Sequence, residues 1–238
     1  MKMLAIIPAR KGSKGIPDKN AATVGGKPLI QWTVECALAA PSVGRTLVTT
    51  DSPQLADLAV SLGAEAPFLR PPELARDDSP GIDPIIHAVN WLKEKESFSS
   101  EYIVVLQPTS PLRIPGDIEA ALALAEEKSA DAVISISYAT QHPLWMKTLD
   151  NDGRIADYIP QRKMPFRRQD LPEVYSLNGA IYLGRTSRIL DTRSWYTGKT
   201  YGLVMPAIRS LDVDTLWDLR LADILLKEFM GGEPGADR

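Results

Sequence analysis

Short apolar runs alternate with amphipathic stretches along most of this chain. Apolar runs bounded by turn residues are typical of buried strands, and apolar residues at helical spacing are typical of helices packed on a sheet. The runs predict strands over residues 3–7, 46–50, 66–69, 102–106, 132–137, 178–183 and 201–205. Helical spacing predicts helices over residues 28–40, 53–62, 83–96, 115–128 and 215–230. The alternation up to residue 137 favours a parallel, doubly wound α/β sheet.

The alternation breaks between residues 138 and 172, which are polar and rich in turn residues. Within this stretch, Asn151-Asp152-Gly153 predicts the turn of a β-hairpin. We therefore expect a single α/β domain formed by residues 1–137 and 173–230, with an excursion at 138–172 that serves as a subunit contact or a lid. Residues 231–238 contain closely spaced Gly and Pro and are predicted to form a flexible tail.

Composition narrows the class of protein. A chain of 238 residues with 44% hydrophobic and 24% charged residues suits one large α/β domain. The net charge of −3 argues against a nucleic-acid-binding surface. Cys36 is the single cysteine, and its apolar helical surroundings predict a small buried hydrophobe. Because no secretory signal or membrane-length apolar run is recognised, a cytoplasmic protein is expected.

A loop rich in glycine and cations directly follows the first predicted strand. It carries Arg10, Lys11, Gly12, Lys14, Gly15 and Lys19. Glycines let a ligand approach the backbone, free N–H groups form an anion nest, and the cations neutralise phosphate charge. A solvated basic turn is the alternative, but open α/β sheets bind ligands at this position. The loop fits neither a Walker A motif nor a dinucleotide fingerprint.

Asp212-Val213-Asp214 is a second candidate for chemistry. In extended backbone the two carboxylates point to the same face, where they repel each other unless a cation lies between them. Magnesium is bound in proteins through one or two carboxylates together with substrate phosphates. The alternative is that Asp214 caps the helix predicted to begin at residue 215, which leaves Asp212 without a role.

Two further segments have both a structural and a functional interpretation. Residues 107–113 contain two prolines, so they form either a rigid structural turn or a stiff platform for ligand contacts. Arg167 and Arg168 are either a solvated cluster or an acid-binding site. His87 and His142 are isolated, so covalent catalysis is not supported. The residues alone thus predict an α/β protein that binds a phosphorylated ligand and a divalent metal.

The same segments resemble those of a known enzyme family, in the same order. They are residues 8–15 (PARKGSKG), 19–20 (KN), 50–51 (TD), 70–75 (RPPELA), 106–113 (LQPTSPLR), 168–172 (RQDLP), 178–182 (NGAIY) and 212–214 (DVD). The chain resembles the acylneuraminate cytidylyltransferases, the CMP-sialic acid synthetases. The resemblance implies a three-layer α/β/α Rossmann-like nucleotidyltransferase fold with a mainly parallel sheet. It also implies a homodimer in which the excursion at 138–172 reaches the partner's active site.

The resemblance further implies a reaction and its residues. CTP and a 2-keto acid sugar of the nonulosonic, sialic type would give a CMP-sugar and pyrophosphate, by in-line attack of the anomeric hydroxyl on the α-phosphate. The nucleotide would be bound by Ala9, Arg10, Ser13, Lys14, Lys19, Asn20, Arg70 and Ser79. The sugar would be bound by Gln107, Thr109, Lys147, Arg168 and Tyr182. Asp212 and Asp214 would hold Mg²⁺, and Arg10, Lys14, Lys19 and Asp212 would be the catalytic residues.

Other functions of the same fold stay open at this point. Synthetases for CMP-legionaminate, CMP-pseudaminate or CMP-octulosonate are the nearest alternatives, because the shape of the pocket decides which sugar is bound. A non-catalytic nucleotide-sugar binding protein belongs to a different class, and the pair of carboxylates argues against it. The main hypothesis requires the basic loop and Asp212–Asp214 to meet in the fold, although nearly two hundred residues separate them.

Overall fold

The structure is a computed structural model that describes residues 3–12, 15–160 and 167–231. Its strands are β1 (Met3–Pro8), β2 (Thr23–Val24), β3 (Lys27–Pro28), β4 (Val43–Thr49), β5 (Tyr102–Val105), β6 (Ala132–Tyr138), β7 (Lys147–Leu149), β8 (Ile155–Asp157), β9 (Tyr175–Arg185) and β10 (Thr200–Val204). Its α-helices are α1 (Leu29–Ala39), α2 (Pro53–Ser61), α3 (Asp83–Glu96), α4 (Pro115–Glu127), α5 (Thr186–Thr192) and α6 (Leu216–Gly231).

Six strands form the central sheet, in the order β10-β6-β9-β5-β1-β4. β4, β1 and β5 are parallel, β10 is parallel to β6, and β9 runs antiparallel to both β5 and β6. The predicted α/β class with a mainly parallel sheet is therefore confirmed. The carboxyl ends of the parallel strands lie at one edge of the sheet, together with the beginning of β9.

The core lies on both faces of this sheet, as the continuous apolar runs of its strands require. In β1, Met3, Ala5 and Ile7 pack with α1, α2 and α4, whereas Leu4 and Ile6 pack with α3 and α5. This alternation follows from the two-residue period of a strand. Helices therefore cover both faces, and the carboxyl edge of the sheet stays available for a site.

A third apolar cluster lies outside the two sheet faces and supports the carboxyl edge. Ile16 of the basic loop, Val24 of the β2–β3 hairpin, Val213, and Leu226 of α6 belong to it. Val213 is fully buried, and it lies between the two aspartates predicted to bind magnesium. Apolar packing thus holds the loop after β1 beside a segment close to the end of the chain.

Most predicted elements are confirmed, usually to within one or two residues at each end, but the strand predicted at 66–69 is wrong. Only Glu65 forms an isolated bridge, to Leu47 of β4. Val48 and Glu65 are hydrogen-bonded, and so are Thr50 and Arg70. Pro67 lies between these two contacts and has no N–H to donate, so the pairing with β4 is interrupted there. The sequence pattern did not predict α5 or the β2–β3 hairpin.

The excursion contains the hairpin β7–β8, which pairs Lys147 with Asp157 and confirms the turn predicted at 151–153. Several large apolar side chains in and around this hairpin are exposed: Trp145, Met146, Leu149, Ile155, Tyr158 and Ile159. None of the helices within the described residues combines the length and apolar composition needed to cross a bilayer.

Candidate active site

A cavity of about 630 Å³ lies at the carboxyl ends of β1 and β5. Eight of the predicted site residues line it: Arg10, Lys19, Asn20, Arg70, Ser79, Gln107, Thr109 and Tyr182. Ala9 lies beneath the cavity, fully buried, and its N–H donates to the carbonyl of Thr49 at 3.0 Å. Ser13 and Lys14 lie outside the described residues, as do residues 232–238 of the predicted tail.

Charged and polar contacts hold the predicted nucleotide-binding side of the cavity in shape. Arg10 forms an ion pair with Asp77, and both residues line the cavity. Asn20 donates from Nδ2 to the carbonyl of Arg10 at 3.0 Å, which fixes the loop after β1. Ser79 donates to the carbonyl of Glu73 at 2.6 Å. Contacts within the protein therefore hold Arg10 in place beside the cavity.

Arg70 is buried at the floor of this side. Its guanidinium donates to the hydroxyl and the carbonyl of Thr49, at the end of β4. Burial lowers its pKa to about 10; the charge of Arg10 acts in the same direction, and Asp51 opposes it. Since the side chain remains protonated at neutral pH, Arg70 provides a fixed cation at the base of the cavity.

The basic loop and the two aspartates meet, as the main hypothesis required. Lys19 Nζ donates to the carbonyl of Val213 at 2.8 Å and to Asp214 Oδ1 at 2.9 Å. A side chain at Gly15 would collide with the carbonyl of Asp214, so only glycine allows this close approach. The sequence places these segments almost two hundred residues apart, and the fold brings them into direct contact.

Asp212 and Asp214 have different surroundings. Asp214 is exposed, with 71% of its side chain accessible, and its carboxylate is paired with Lys19. Asp212 is half-buried, and its buried Oδ1 has no hydrogen-bond partner among the residues that the structure describes. Burial raises the pKa of the Asp212 carboxyl; the charge of Asp214 adds to this, while the Thr109 side chain and Lys19 oppose it. A buried carboxylate oxygen without a partner is suited to binding a cation.

The alternative role for Asp214, as the cap of α6, is wrong. Thr215 is the capping residue, because its hydroxyl accepts from the N–H of Asp218 at 3.2 Å. The Asp218 carboxylate in turn accepts from the N–H of Thr215 at 2.8 Å, which completes a capping box. The Asp214 side chain is therefore not needed by the helix and remains beside Lys19.

The turn after β5 forms the wall next to the aspartates. The N–H of Val213 donates to the carbonyl of Thr109 at 2.8 Å, which ties this turn to the Asp212–Asp214 segment. Gln107 Oε1 lies only 2.9 Å from the position that a Cβ of residue 179 would occupy. Gly179 also has a φ of 72°, so the backbone conformation and the packing of Gln107 both require glycine there.

Aromatic side chains form the far wall of the cavity. Tyr182 of β9 packs against Trp195, with ring centroids 5.7 Å apart, and burial raises the pKa of the Tyr182 phenol. Arg193, Ser194, Trp195 and Tyr196 also line the cavity, and the sequence analysis missed all four. Two adjacent aromatic residues in a polar stretch were the signal that could have revealed them.

Two predicted sugar-binding residues, Lys147 and Arg168, belong to the excursion at 138–172, and of these the described Lys147 does not line the cavity. Lys147 belongs to the β7–β8 hairpin and forms an ion pair with Asp157 there. The backbone of Arg168 belongs to a short 3-10 helix, Arg168–Asp170, and its side chain lies outside the described part of the structure. A role for Lys147 would therefore require the hairpin to reach a cavity on another subunit.

Cys36 and His87 both pack against other side chains of the protein. Cys36 is buried, as predicted. His87 packs edge-on against Phe68, and burial lowers the pKa of its imidazole. Within residues 3–12, 15–160 and 167–231, no three His, Cys, Asp or Glu side chains cluster so as to hold a metal by themselves. A metal bound by Asp212 and Asp214 would therefore need oxygen atoms of substrate phosphates or of water to complete its coordination.

Comparison with known proteins agrees with this geometry. A family profile described as cytidylyltransferase matches residues 4–198, which is well over half of the chain. This chain belongs to the cytidylyltransferase family. It is 35% identical over 228 residues to the CMP-N,N'-diacetyllegionaminic acid synthase of Legionella pneumophila, with 95% of this chain and 97% of that protein covered.

Other relatives of this cytidylyltransferase are named for related acid sugars. The N-acylneuraminate cytidylyltransferase of Streptococcus agalactiae is 35% identical over 217 residues. The match covers 90% of this chain and 51% of that protein, so the chain spans about half the length of that relative. The pseudaminic acid cytidylyltransferase of Campylobacter jejuni is 30% identical over 230 residues, covering 95% of this chain and 97% of the relative. The resemblance to acylneuraminate cytidylyltransferases is confirmed.

Solved structures share the fold of this cytidylyltransferase. A CMP-2-keto-3-deoxy-manno-octonic acid synthetase solved with CTP has a TM-score of 0.70 at 19% identity, covering 96% of this chain and 100% of the other. A 4-diphosphocytidyl-2C-methyl-D-erythritol synthase has a TM-score of 0.68 at 13% identity, covering 94% and 99%. The predicted Rossmann-like nucleotidyltransferase fold is therefore confirmed.

Proposed function

We propose that this chain transfers CMP from CTP to the anomeric hydroxyl of a nonulosonic acid and releases pyrophosphate, with Mg²⁺ as cofactor. The observation that carries the proposal is the contact between Lys19 and Asp214 beside the cavity. It joins a cationic loop suited to phosphates with a carboxylate pair suited to a divalent metal. A protein that only bound a nucleotide would have little use for both.

The cations in and beside the cavity would hold the triphosphate. Arg10 and Lys19 lie along the loop after β1, and Lys14 belongs to the same loop in the sequence. Arg10 is held by Asp77 until a phosphate replaces that carboxylate, since a guanidinium binds either group through the same pair of donors. Arg70, with Asn20 and Ser79 nearby, would bind the nucleoside part of CTP.

Asp212 and Asp214 would hold the magnesium ion. The unpartnered Oδ1 of Asp212 fits this role, because a bound cation would supply its missing partner. When bound, magnesium would supply positive charge that stabilises the negative charge of the phosphates and of the leaving pyrophosphate. Lys19 keeps the Asp214 side of the pair close to the phosphate loop.

The acid sugar would occupy the side of the cavity between the turn after β5 and the aromatic wall. Gln107 and Thr109 offer polar contacts there, and Tyr182 offers an aromatic face with a hydroxyl. These side chains would orient the anomeric hydroxyl toward the α-phosphate for in-line attack. The work of the protein is then mainly to position both substrates and to stabilise charge on the phosphates.

Lys147 and Arg168 would act across a dimer interface. The exposed apolar side chains of the excursion support such an interface, because isolated hydrophobic patches of this kind are typical of contact surfaces. In a homodimer the excursion of one subunit would bring Arg168 to the sugar carboxylate in its partner's cavity. We place the enzyme in the cytoplasm, where a buried free thiol such as that of Cys36 stays reduced.

Release of pyrophosphate tests the proposal directly. Purified protein is incubated with CTP and Mg²⁺ and, in separate reactions, with N,N'-diacetyllegionaminic, N-acetylneuraminic, pseudaminic or 3-deoxy-octulosonic acid. We expect release with CTP and at least one of the first three acids, and none with GTP or after EDTA is added. Binding of CTP without release in any reaction would contradict the proposal and favour a nucleotide-sugar binding protein.

A further inference from the structure

The buried guanidinium of Arg113 lies beneath the cavity, and none of the site roles described above uses it. Arg113 follows the turn after β5 and is only 4% exposed. Its Nη1 donates to the carbonyl of Ala180 at 2.6 Å and, at 3.4 Å, to the carbonyl of Gln107. Its Nη2 donates to the hydroxyl of Thr33 in α1 at 2.9 Å. One side chain therefore joins three elements.

Thr33 extends the same network to Gln107. Its hydroxyl accepts from Arg113 and donates to the carbonyl of Gln107 at 3.4 Å. The carbonyl of Gln107 thus accepts from the side chains of Thr33 and Arg113 and also from the N–H of Ser110, and the Gln107 side chain packs against Gly179. Because Ala180 follows Gly179 directly, Arg113 holds both sides of this contact at once.

The burial of Arg113 is costly, so a simple structural role is a weak explanation for it. Among the described residues, no carboxylate is hydrogen-bonded to its guanidinium: the thiol of Cys36 in α1 is a further side-chain partner, and the carboxylate of Asp117 acts only through its charge. An unpaired buried charge loses its hydration without the attraction of a partner. A planar guanidinium offers several donors in fixed directions, which a lysine or an apolar side chain cannot reproduce.

We propose that Arg113 is a positioning residue for the acid-sugar side of the active site. It acts through Gln107 and the Gly179–Ala180 backbone and does not touch the substrates. The inference rests on the proposed function, because Gln107 is assigned to the sugar only there. Loss of the guanidinium fork would let the Gln107 turn move, and small displacements of positioning groups lower the efficiency of an enzyme strongly.

The test compares Arg113→Lys with Arg185→Lys. Arg185 lies at the opposite edge of the sheet, where it donates to the carbonyl of Ala130 and pairs with Glu101. For Arg113→Lys we expect the KM of the acid sugar to rise about tenfold, with the KM of CTP changed by less than about threefold. For Arg185→Lys we expect both KM values to stay within about twofold while Tm falls.

The KM separates positioning from stability. A smaller folded fraction lowers kcat in proportion but leaves KM unchanged, so an unchanged sugar KM in Arg113→Lys would overturn the inference. If that variant does not fold, Thr33→Val replaces it, because it removes the shared hydroxyl at nearly constant volume. It is expected to raise the sugar KM in the same direction but less, and an unchanged KM would again count against positioning.

Hydrogen exchange tests the inference without any substrate. In Arg113→Lys, amides of residues 106–113 and 178–181 are expected to exchange faster than in the unmodified protein, while in Arg185→Lys they are not. Equal exchange in both variants would overturn the positioning role even if no acid sugar is turned over. Absence of turnover in the unmodified protein would instead contradict the proposed function, so the two failures are distinguishable.

Discussion

The carboxylates of Asp212 and Asp214 lie two residues apart in the sequence but differ in exposure and in partners. Asp214 is exposed and paired with Lys19, whereas Asp212 is half-buried, with an oxygen that has no partner among the described residues. Alternation along extended backbone accounts for the shared face, and the buried Val213 between them fixes both side chains relative to the core. The pair is therefore held in place before any metal binds, at some cost in stability at Asp212.

Asp212→Asn separates function from stability. We expect CMP transfer to fall by about 100-fold or more, because an amide is a poor ligand for magnesium. We expect Tm to stay the same or rise at neutral pH, since burial raises the pKa of this carboxyl and the amide has no charge to desolvate. Asp131→Asn at the opposite edge of the sheet is the control. Pyrophosphate release and thermal melts decide, and full activity in Asp212→Asn would remove the metal role.

Gly179→Ala tests the close packing of β9 against the Gln107 side chain. The φ of 72° and the Gln107 oxygen 2.9 Å from the new Cβ should each be unfavourable, so we expect a loss of about 1–3 kcal/mol in the free energy of unfolding. The KM of the acid sugar should rise because Gln107 must move. Gly198→Ala, where a Cβ meets nothing within 4 Å, serves as the control. Similar urea denaturation midpoints for the two variants would show that the contact is unimportant.

At the scale of elements, α6 is positioned by its own capping box. The reciprocal hydrogen bonds of Thr215 and Asp218 satisfy the first turn of the helix and leave Asp214 outside it. Leu226 and Ala222 of α6 then pack against Val24 and Val213. The start of this helix therefore sets where the Asp212–Asp214 segment ends.

Thr215→Ala is expected to lower the stability of the protein while leaving its turnover nearly unchanged. Loss of the cap should cost about 1 kcal/mol, which corresponds to a fall in Tm of about 2–4 °C for a chain of this size. Turnover at 25 °C should stay within about twofold, because Lys19 still holds Asp214. Ser61→Ala, in an exposed position at the end of α2, should change Tm little. A large loss of turnover in Thr215→Ala would mean that the helix start itself takes part in the reaction.

The sequence predicted elements well wherever periodicity decides them. Runs such as residues 102–106 and 132–137 have one stable solution, a strand covered on both faces. The antiparallel direction of β9 was not predictable, since it depends on the return path of the excursion. The strand predicted at 66–69 does not form. Its pairing with β4 depends on the hydrogen bonds that Glu65 and Arg70 make on either side of it, and an apolar run does not reveal these.

At the scale of the whole molecule, the cavity combines segments from most of the chain. Arg10 comes from the first loop, Arg70 from the segment after α2, Gln107 from the turn after β5, and Tyr182 from β9. The motifs predicted which loops would carry chemistry, because the carboxyl ends of parallel strands meet at one edge. They did not predict Trp195 or the bond between Arg113 and Ala180, which depend on tertiary packing alone.

The excursion supplies the prediction that involves a second copy of the chain. Leu149 and Ile155 pair across the β7–β8 hairpin with 71% and 70% of their surface exposed. In a homodimer these side chains would be covered, so Leu149→Glu with Ile155→Glu should convert a dimer into a monomer. Because the exposed side chains make few contacts within the subunit, the unfolding of the isolated subunit should be nearly unaffected.

Light scattering and kinetics together test this interface. The unmodified protein is expected to have twice the chain mass at micromolar concentration, and the double variant the mass of one chain. If Lys147 and Arg168 act in the partner's cavity, the monomeric variant should also lose turnover, with a higher KM for the acid sugar than for CTP. Thr148→Glu, on the same hairpin, is a control for added charge. A monomeric unmodified protein with full activity would rule out both the interface and the shared site.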